Sequence, residues 1–151
     1  MMSTPLQTHA AYALPPDAGK PLAWLTSTIT QKASAPGIGI TEALMSPGEE
    51  PPLHVHKNED EWLYLLEGEM TFHVGGQDHR SQPGGFVCFP RGIPHTFSVE
   101  SPKARILVIN TPGGFERMFE LGPKTPEEAG RALQAFGMEI VGPHPRQAVA
   151  A

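Results

Sequence analysis

Short apolar runs separated by proline and glycine recur through the middle of the chain and restrict how it can fold. The 151 residues include 17 prolines and 16 glycines. This pattern is typical of many brief strands joined by tight turns, and it predicts an all-β chain. Antiparallel strands in this number can wrap into a barrel or a double-sheet jelly roll, which leaves one mouth for a ligand. The predicted strands are residues 22–31, 39–45, 53–56, 61–66, 70–74, 79–81, 86–89, 95–99 and 105–110.

The two ends of the chain differ from this middle part and divide the sequence into three predicted regions. Residues 1–21 contain four prolines and little periodicity, which indicates an N-terminal arm that either stays loose or lies across a neighbouring subunit. Residues 22–112 are predicted to form one barrel, because a chain of this length can bury a core without disulfides. Residues 113–151 are predicted to form a C-terminal helical extension and tail.

One helix in this extension has distinct end signals. Thr125 is a suitable N-cap, Pro126 suits the first helical position, and Glu128 can complete a capping box. We therefore expect a helix that begins at Pro126 and packs on the outside of the barrel. Nearer the barrel, a helical turn over residues 115–120 would place apolar side chains across the mouth and cap it.

Charge and composition exclude several classes of partner. The chain has 11 basic and 16 acidic residues, a net charge of −5 and no basic run. We therefore expect no nucleic acid partner. No apolar stretch approaches the roughly 20 residues of a membrane helix, so we expect no membrane partner. Cys88 is the single cysteine and lies between apolar residues, which predicts a buried thiol without a disulfide. The first residues contain no secretion signal, and cytoplasmic localisation is the expectation.

Two histidines one residue apart, His54 and His56, indicate where chemistry would take place. Side chains alternate faces along a strand, so both imidazoles emerge on the same face and can converge. A polar turn over residues 57–60 precedes a strand that begins at Glu61, and a hairpin would return this carboxylate to the histidine pair. His95 lies in a separate segment bounded by glycine and proline. Because three imidazoles and a carboxylate are costly to bury without a cation, we predict one metal site.

These residues belong to two longer motifs. The span from Gly48 to Gly68 reads G-x5-H-x-H-x4-E-x6-G, and the span from Gly84 to His95 reads G-x5-P-x-G-x2-H. Both spans resemble the two sequence motifs of the cupin family, although Val99 replaces the asparagine that usually ends the second motif. The resemblance implies an all-β fold, a double-stranded β-helix or jelly-roll cupin barrel, with a short C-terminal helical extension. It also implies four metal ligands, His54, His56, Glu61 and His95.

The predicted ligand set restricts the chemistry of the site. Three nitrogens and one oxygen leave positions open for substrate, and they suit one divalent transition metal per chain, which would be iron, manganese, nickel, cobalt, copper or zinc. An enol-like oxygen would bind the metal while Glu61 takes its proton as the catalytic base. Histidine must be neutral to bind a metal, so acidification below about pH 6 is expected to release it.

Residues 111–122 resemble the tail of single-domain cupins similar to quercetinase, the flavonol 2,4-dioxygenase. This resemblance implies a dioxygenase that opens a metal-bound flavonol or a related enol, with Glu61 as the base. Two alternatives stay open. One is a metal-dependent isomerase or lyase of a small molecule, and the other is a cupin that binds a small ligand without catalysis.

Strand alternation also predicts the walls of the pocket. Leu63 and Leu65 share the face of Glu61, and Phe97 shares the face of His95. Apolar walls favour a small-molecule substrate that is apolar or aromatic. The predicted pocket residues are Phe97, Leu63, Leu65 and Phe72.

Outward side chains on the same strand predict how copies of the chain associate. Trp62 and Tyr64 alternate to the outer face of the barrel. Together with the N-terminal arm, they fit a homodimer formed through the outer face of a sheet.

Other polar residues near the motifs are expected to have ordinary roles. Glu59 and Asp60 are predicted to be solvated turn residues rather than ligands, and Arg91 is predicted to be an exposed turn arginine. Four further histidines lack ligand spacing and are predicted to be surface or core residues, namely His9, His73, His79 and His144.

Overall fold

The computed structural model describes residues 10–149, which form two antiparallel sheets around a common core. The first sheet has the strand order β1-β2-β3-β10-β5-β8, and the second has the order β11-β4-β9-β6-β7. This double sheet confirms the predicted all-β jelly roll. The strands are β1 (Lys20–Trp24), β2 (Ser27–Ser34), β3 (Gly39–Met45), β4 (Leu53–His56), β5 (Asp60–Glu67), β6 (Met70–Val74), β7 (Gln77–Ser81), β8 (Phe86–Phe89), β9 (His95–Val99), β10 (Ala104–Thr111) and β11 (Met138–Gly142).

Helical segments follow β10, as the sequence predicts. A 3-10 helix spans Phe115–Leu121, α1 spans Pro126–Ala135 and α2 spans Pro145–Val149. The Thr125 hydroxyl caps α1 by accepting a hydrogen bond from Glu128 N at 3.2 Å. Among the described residues, no helix is long and apolar enough to cross a membrane.

Alternation along the strands separates an inner from an outer face of the first sheet. β3 shows it most regularly, with Gly39, Thr41, Ala43 and Met45 buried and the residues between them partly exposed. The inner faces of both sheets enclose one hydrophobic core, whose largest fully buried apolar side chains are Phe72, Phe89, Leu63, Leu65, Met70, Ile106 and Met118. This core fixes the separation of the sheets, so polar side chains on the two inner faces are held opposite each other.

Three local features differ from the sequence expectations. Residues 22–31 form two strands rather than one, because the chain turns at Leu25, whose φ is 53°, and pairs Trp24 with Ser27. A positive φ is rare for leucine, so composition gives no signal for this turn. β11 is an additional strand that pairs with β4. Cys88 is partly rather than fully buried, because β8 is an edge strand of the first sheet.

The described part of the predicted N-terminal arm packs on its own chain. The Tyr12 hydroxyl donates a hydrogen bond to Lys32 O at 2.8 Å, and Lys32 Nζ donates one to Ala18 O at 2.6 Å. Residues 10–19 therefore lie against the outer face of the first sheet. The sequence expectation was a loose arm or one that crosses a neighbouring subunit.

Candidate metal centre

Three histidines converge from two neighbouring strands of the second sheet. β4 contributes His54 and His56, which are buried on the same face. β9 contributes His95, which lies opposite His54 in the antiparallel pairing. One ring nitrogen from each histidine lies within 4.8 Å of the other two. The structure thus brings the three predicted histidines together in a buried site that is consistent with a metal ion.

Hydrogen bonds to the Nδ1 atoms fix the orientation of two of the rings. His54 Nδ1 donates to Pro52 O at 2.7 Å, and His95 Nδ1 donates to Ile93 O at 2.9 Å. A carbonyl oxygen can only accept, so each neutral ring holds its proton on Nδ1 and presents a free lone pair on Nε2. His95 Nε2 is buried and has no hydrogen-bond partner among residues 10–149. A buried nitrogen whose lone pair has no hydrogen-bond donor is suited to bind a metal.

Glu59 orients the third ring, and here the sequence expectation is wrong. His56 Nδ1 lies 2.8 Å from Glu59 Oε1, and Glu59 is only 3% exposed. The turn exposes Lys57 and Asn58 but folds Glu59 back towards His56, so a polar sequence does not mean that every residue is solvated. The signal available in the sequence is that Glu59 follows the predicted ligand His56 by three residues. When a carboxylate hydrogen-bonds to the ring nitrogen that does not bind the metal, the imidazole becomes a stronger metal ligand.

Glu61 reaches the histidines across the barrel rather than through a hairpin. The turn after His56 passes the chain from the second sheet to the first, because β4 already pairs with β9 and β11. Glu61 is 6% exposed, and its Oε2 lies 2.9 Å from His56 Nε2. The angle between the two groups does not meet hydrogen-bond geometry. His56 Nε2 therefore has no hydrogen-bond partner among the described residues. Glu61 therefore lies beside one of the three imidazoles, and a bond from Glu61 to a metal stays a prediction.

Burial and charge set the protonation of the metal-free site. Burial lowers the pKa of His54 to about 3, and it also lowers the pKa of His95. Burial opposes a charge on His56 as well, but the carboxylates of Glu61 and Glu59 outweigh it and raise the His56 pKa to about 9. Burial favours a protonated Glu61, yet the charge on His56 outweighs it and lowers the Glu61 pKa to about 2. At neutral pH, His56 therefore holds the proton of the site.

Metal affinity is expected to depend on pH up to about 9, and not only below pH 6. Binding must displace the His56 proton, so the association constant should rise about tenfold for each pH unit until this pKa is passed. Glu59→Gln removes one of the charges that hold the proton, so its affinity should level off at a lower pH. Chelator competition at a series of pH values measures both curves. A wild-type affinity that stays constant between neutral pH and the His56 pKa would rule out this proton assignment.

The 3-10 helix covers the site, as the sequence predicts. Phe115 is buried, and its ring meets the His56 ring edge to face, with ring centroids 4.5 Å apart. Met118 from the same segment is buried in the core. Phe89 closes another side by stacking on His95, with ring centroids 4.2 Å apart. Aromatic and apolar side chains therefore surround the imidazoles and limit their contact with water.

Glu116 anchors this cover, and sequence reasoning missed it. Its fully buried carboxylate accepts hydrogen bonds from Ser34 Oγ at 2.8 Å and from Gly114 N at 2.6 Å. It lies against Gly39, where any side chain would overlap the carboxylate. The only signal in the sequence is an acidic residue directly after Phe115, in a segment that packs on the barrel. Glycine at position 39 therefore leaves the space that the anchor occupies.

Alanine at position 39 is expected to loosen the cover. Gly39→Ala places a methyl group in the space of the Glu116 carboxylate and should lower the free energy of unfolding by about 1–3 kcal/mol. Combined with Glu116→Ala, the same methyl group should cost much less, because the overlap is gone. Urea denaturation of the wild type, both single variants and the double variant measures this coupling. Strictly additive effects would show that the two residues do not compete for space.

The four side chains predicted to line the pocket are all buried, namely Phe97, Leu63, Leu65 and Phe72. They belong to the same hydrophobic core. Phe72 is linked to the site through Phe89, which contacts both Phe72 and His95. Contact between these residues and a substrate stays a prediction.

Asp60 and Arg91 bind each other outside the site. Asp60 is half-buried at the start of β5, so it is not the fully solvated turn residue that we expect from the sequence. Its Oδ1 accepts hydrogen bonds from Arg91 N at 2.9 Å and from Arg91 Nε at 3.2 Å. This pairing holds the pKa of Asp60 below its usual range. Arg91 is exposed, as predicted, and its guanidinium is already paired.

The other histidines lie apart from this centre. His73 and His144 are buried, and both approach the Ser98 hydroxyl, with Nε2 to Oγ distances of 2.8 Å and 3.4 Å. These contacts are consistent with core roles. His79 is exposed, and His9 lies outside the described residues.

The sequence around this centre matches a known family. Residues 41–110 match the family described as Cupin domain. The match covers a little less than half of the chain. The matched residues contain the strands that hold all four predicted ligands, His54, His56, Glu61 and His95.

A curated relative shares part of this domain. Quercetin 2,3-dioxygenase from Bacillus subtilis (strain 168) is 33% identical over 66 residues, which cover 44% of this chain and 20% of the relative. The chain thus spans only a small part of the length of that enzyme.

Solved structures share the fold. Streptomyces PAC13, in a structure with uridine, superimposes with a TM-score of 0.63 at 9% identity, over 92% of this chain and 97% of that chain. A sugar phosphate isomerase of the cupin superfamily from Silicibacter pomeroyi gives a TM-score of 0.57 at 20% identity, over 66% of this chain and 75% of that one. At these identities, the similarity shows a common fold alone.

Proposed function

We propose that the chain is a metal-dependent enzyme, and more narrowly a dioxygenase that acts on an enol such as a flavonol. The observation that carries the proposal is the convergence of three buried histidine nitrogens, with a Glu61 oxygen 2.9 Å from one of them. His54, His56, His95 and Glu61 would hold one divalent transition metal, because such ions accept imidazole and carboxylate ligands. When bound, the metal would act as a Lewis acid towards the enol oxygen. The partial similarity to quercetin 2,3-dioxygenase supports this reaction class.

The groups of the protein itself would orient the site and move the proton. Glu61 would accept the enol proton, since its carboxylate is buried beside the histidine nitrogens that would hold the metal. Glu59 holds the far nitrogen of His56 and keeps Nε2 directed into the site. Phe115 covers the imidazoles and restricts the entry of water.

Oxygen uptake tests this proposal. Protein prepared without a nickel column is loaded in turn with iron(II), manganese, cobalt, nickel, copper or zinc, and is then mixed with 3-hydroxyflavone or with a simple diketone. The expected result is oxygen consumption that requires both the metal and the enolic substrate. Loaded protein that consumes no oxygen with any combination would exclude the dioxygenase assignment while leaving the metal site intact.

An isomerase or lyase that uses the same metal without oxygen is the second candidate. Three polar side chains, Gln31, Thr41 and Asn110, are buried on the inner face of the first sheet beside the apolar residues. Such walls suit a substrate with several oxygens. Turnover of an enolic substrate under strictly anaerobic conditions would favour this candidate over the dioxygenase.

We also propose that the chain forms a homodimer through the outer face of the first sheet. Tyr64 and Phe86 are 41% and 57% exposed there, and Trp62 stacks on Phe86 with ring centroids 6.0 Å apart. Exposed aromatic side chains on one face favour association. Phe86→Glu is therefore expected to convert a dimer into a monomer in analytical ultracentrifugation, whereas Leu121→Glu, at another exposed apolar position, should leave the dimer intact. A wild-type protein that sediments as a monomer would refute the proposed interface.

A further inference from the structure

The inner face of the first sheet presents an amide next to the proposed metal site. Asn110 on β10 lies directly opposite Glu61 on β5, so both side chains project from the same face. In such pairs the Cβ atoms lie about 5 Å apart. Asn110 is 1% exposed, as expected for a side chain inside the barrel. Its amide is therefore an immediate neighbour of the Glu61 carboxylate.

Thr41 lies one step further along the same face. It is opposite Val108 on β10, and Val108 is opposite Leu63, which is two residues from Glu61. The alternation of β3 turns Thr41 inward, and it is 1% exposed. Thr41 is diagonal to Asn110, at a Cβ separation of about 7 Å that a small ligand can bridge.

Each of these side chains has one buried polar atom without a hydrogen-bond partner among the described residues. Asn110 Nδ2 and Thr41 Oγ1 are buried and unpaired. The other buried atoms without a hydrogen bond are His95 Nε2, His56 Nε2, which lies 2.9 Å from Glu61 Oε2, and Arg105 Nε on the outer face of the sheet. Burial of a polar group without a partner is costly, and native proteins contain few such groups. Asn110 Nδ2, Thr41 Oγ1 and His95 Nε2 are therefore buried polar atoms without a partner, which indicates a ligand that would pair them.

We propose that Asn110 and Thr41 bind the part of the substrate that does not touch the metal. The Asn110 N–H groups donate to an acceptor oxygen, and the Thr41 hydroxyl can donate or accept. The ligand class is a small metal chelator with a further hydroxyl, carbonyl or ether oxygen beyond its chelating pair. A site of this kind rejects an analogue that lacks the extra oxygen, because its own polar groups then stay unpaired. This inference rests on the proposed metal site and applies whether or not oxygen is a reactant.

Two chelators distinguish this binding role from a metal site with passive walls. Tropolone uses both of its oxygens on the metal, whereas kojic acid has a ring oxygen and a hydroxymethyl group in addition. In cobalt(II)-loaded protein, calorimetry should show that Asn110→Leu and Thr41→Val each weaken kojic acid binding by about tenfold and leave tropolone binding within about twofold. Equal changes for the two chelators, or loaded wild-type protein that does not bind kojic acid, would overturn the proposal.

The stability of the metal-free protein gives a second readout. Apolar replacements remove the cost of burying unpaired groups, so Asn110→Leu and Thr41→Val should each raise Tm by about 2–4 °C. Thr28→Val on the outer face of the same sheet is the matched control and should change neither Tm nor chelator binding. A lower Tm in both variants would show that the two groups bond within the protein, which would overturn the proposal. If Tm rises but cobalt does not bind, the metal site fails, and the substrate-binding role that rests on it fails with it.

Discussion

Replacement of His95 with alanine is expected to abolish metal binding. Its buried Nε2 lacks a hydrogen-bond partner among residues 10–149, and its loss leaves two imidazoles at the point of convergence. Because changes to groups behind the ligands already cost about 10–100-fold in metal affinity, loss of a ligand should cost more than about 100-fold. His79→Ala removes an exposed histidine on β7 and should keep its metal. Elemental analysis of protein prepared without a nickel column measures occupancy, and a fully loaded His95→Ala protein would disprove the site.

His95 is a better position for this test than His56. In the metal-free protein, His56 lies between two buried carboxylates, 2.8 Å from Glu59 and 2.9 Å from Glu61. Truncation of His56 would leave both carboxylates without a cation, and breaking a buried ion pair typically costs about 3–5 kcal/mol. Metal loss in His56→Ala would therefore be mixed with unfolding. His95→Ala leaves that ion pair in place, so its effect on metal affinity can be measured on folded protein.

Glu61→Gln is expected to lower kcat far more than it lowers metal content. Glutamine keeps an oxygen that can bind a metal, but its amide cannot accept the enol proton, so kcat should fall by about 10²–10⁴-fold. Glu59→Gln is the matched control, because Glu59 is equally buried but contacts the far nitrogen of His56. At a pH above the His56 pKa, it should weaken metal binding by about tenfold and keep most of the turnover per bound metal. Oxygen uptake and elemental analysis on the same samples separate the two effects, and unchanged turnover per metal in Glu61→Gln would exclude it as the base.

The faces of individual strands could be predicted because alternation is a local property of the extended backbone. His54 and His56 share a face for this reason, and so do the inward residues of β3. The start of α1 was equally predictable, since Thr125 and Pro126 act on the first turn alone. Turn composition was less informative, because the same polar tetrapeptide contains an exposed Lys57 and a buried Glu59. A turn sequence limits the backbone but does not determine which side chain folds back onto a neighbouring strand.

Strand pairing across the barrel could not be predicted from the residues alone. The turn after His56 could equally form a hairpin or a crossover, and the structure shows a crossover because β9 and β11 already occupy both edges of β4. The pairing of Asn110 with Glu61 joins residues almost fifty positions apart, and no local pattern sets that register. Glu116 and Gly39 also come together only when the 3-10 helix packs on β3.

The sequence by itself determined the all-β class, the two motifs and the three histidines, because spacing along a strand fixes which side chains share a face. Tertiary structure decided which groups surround those histidines. Glu61 faces them from the opposite sheet, Glu59 supports His56 from behind, and Asn110 lies beside Glu61. These neighbours depend on sheet order and register, which result from hydrogen bonds and core packing summed over distant parts of the chain.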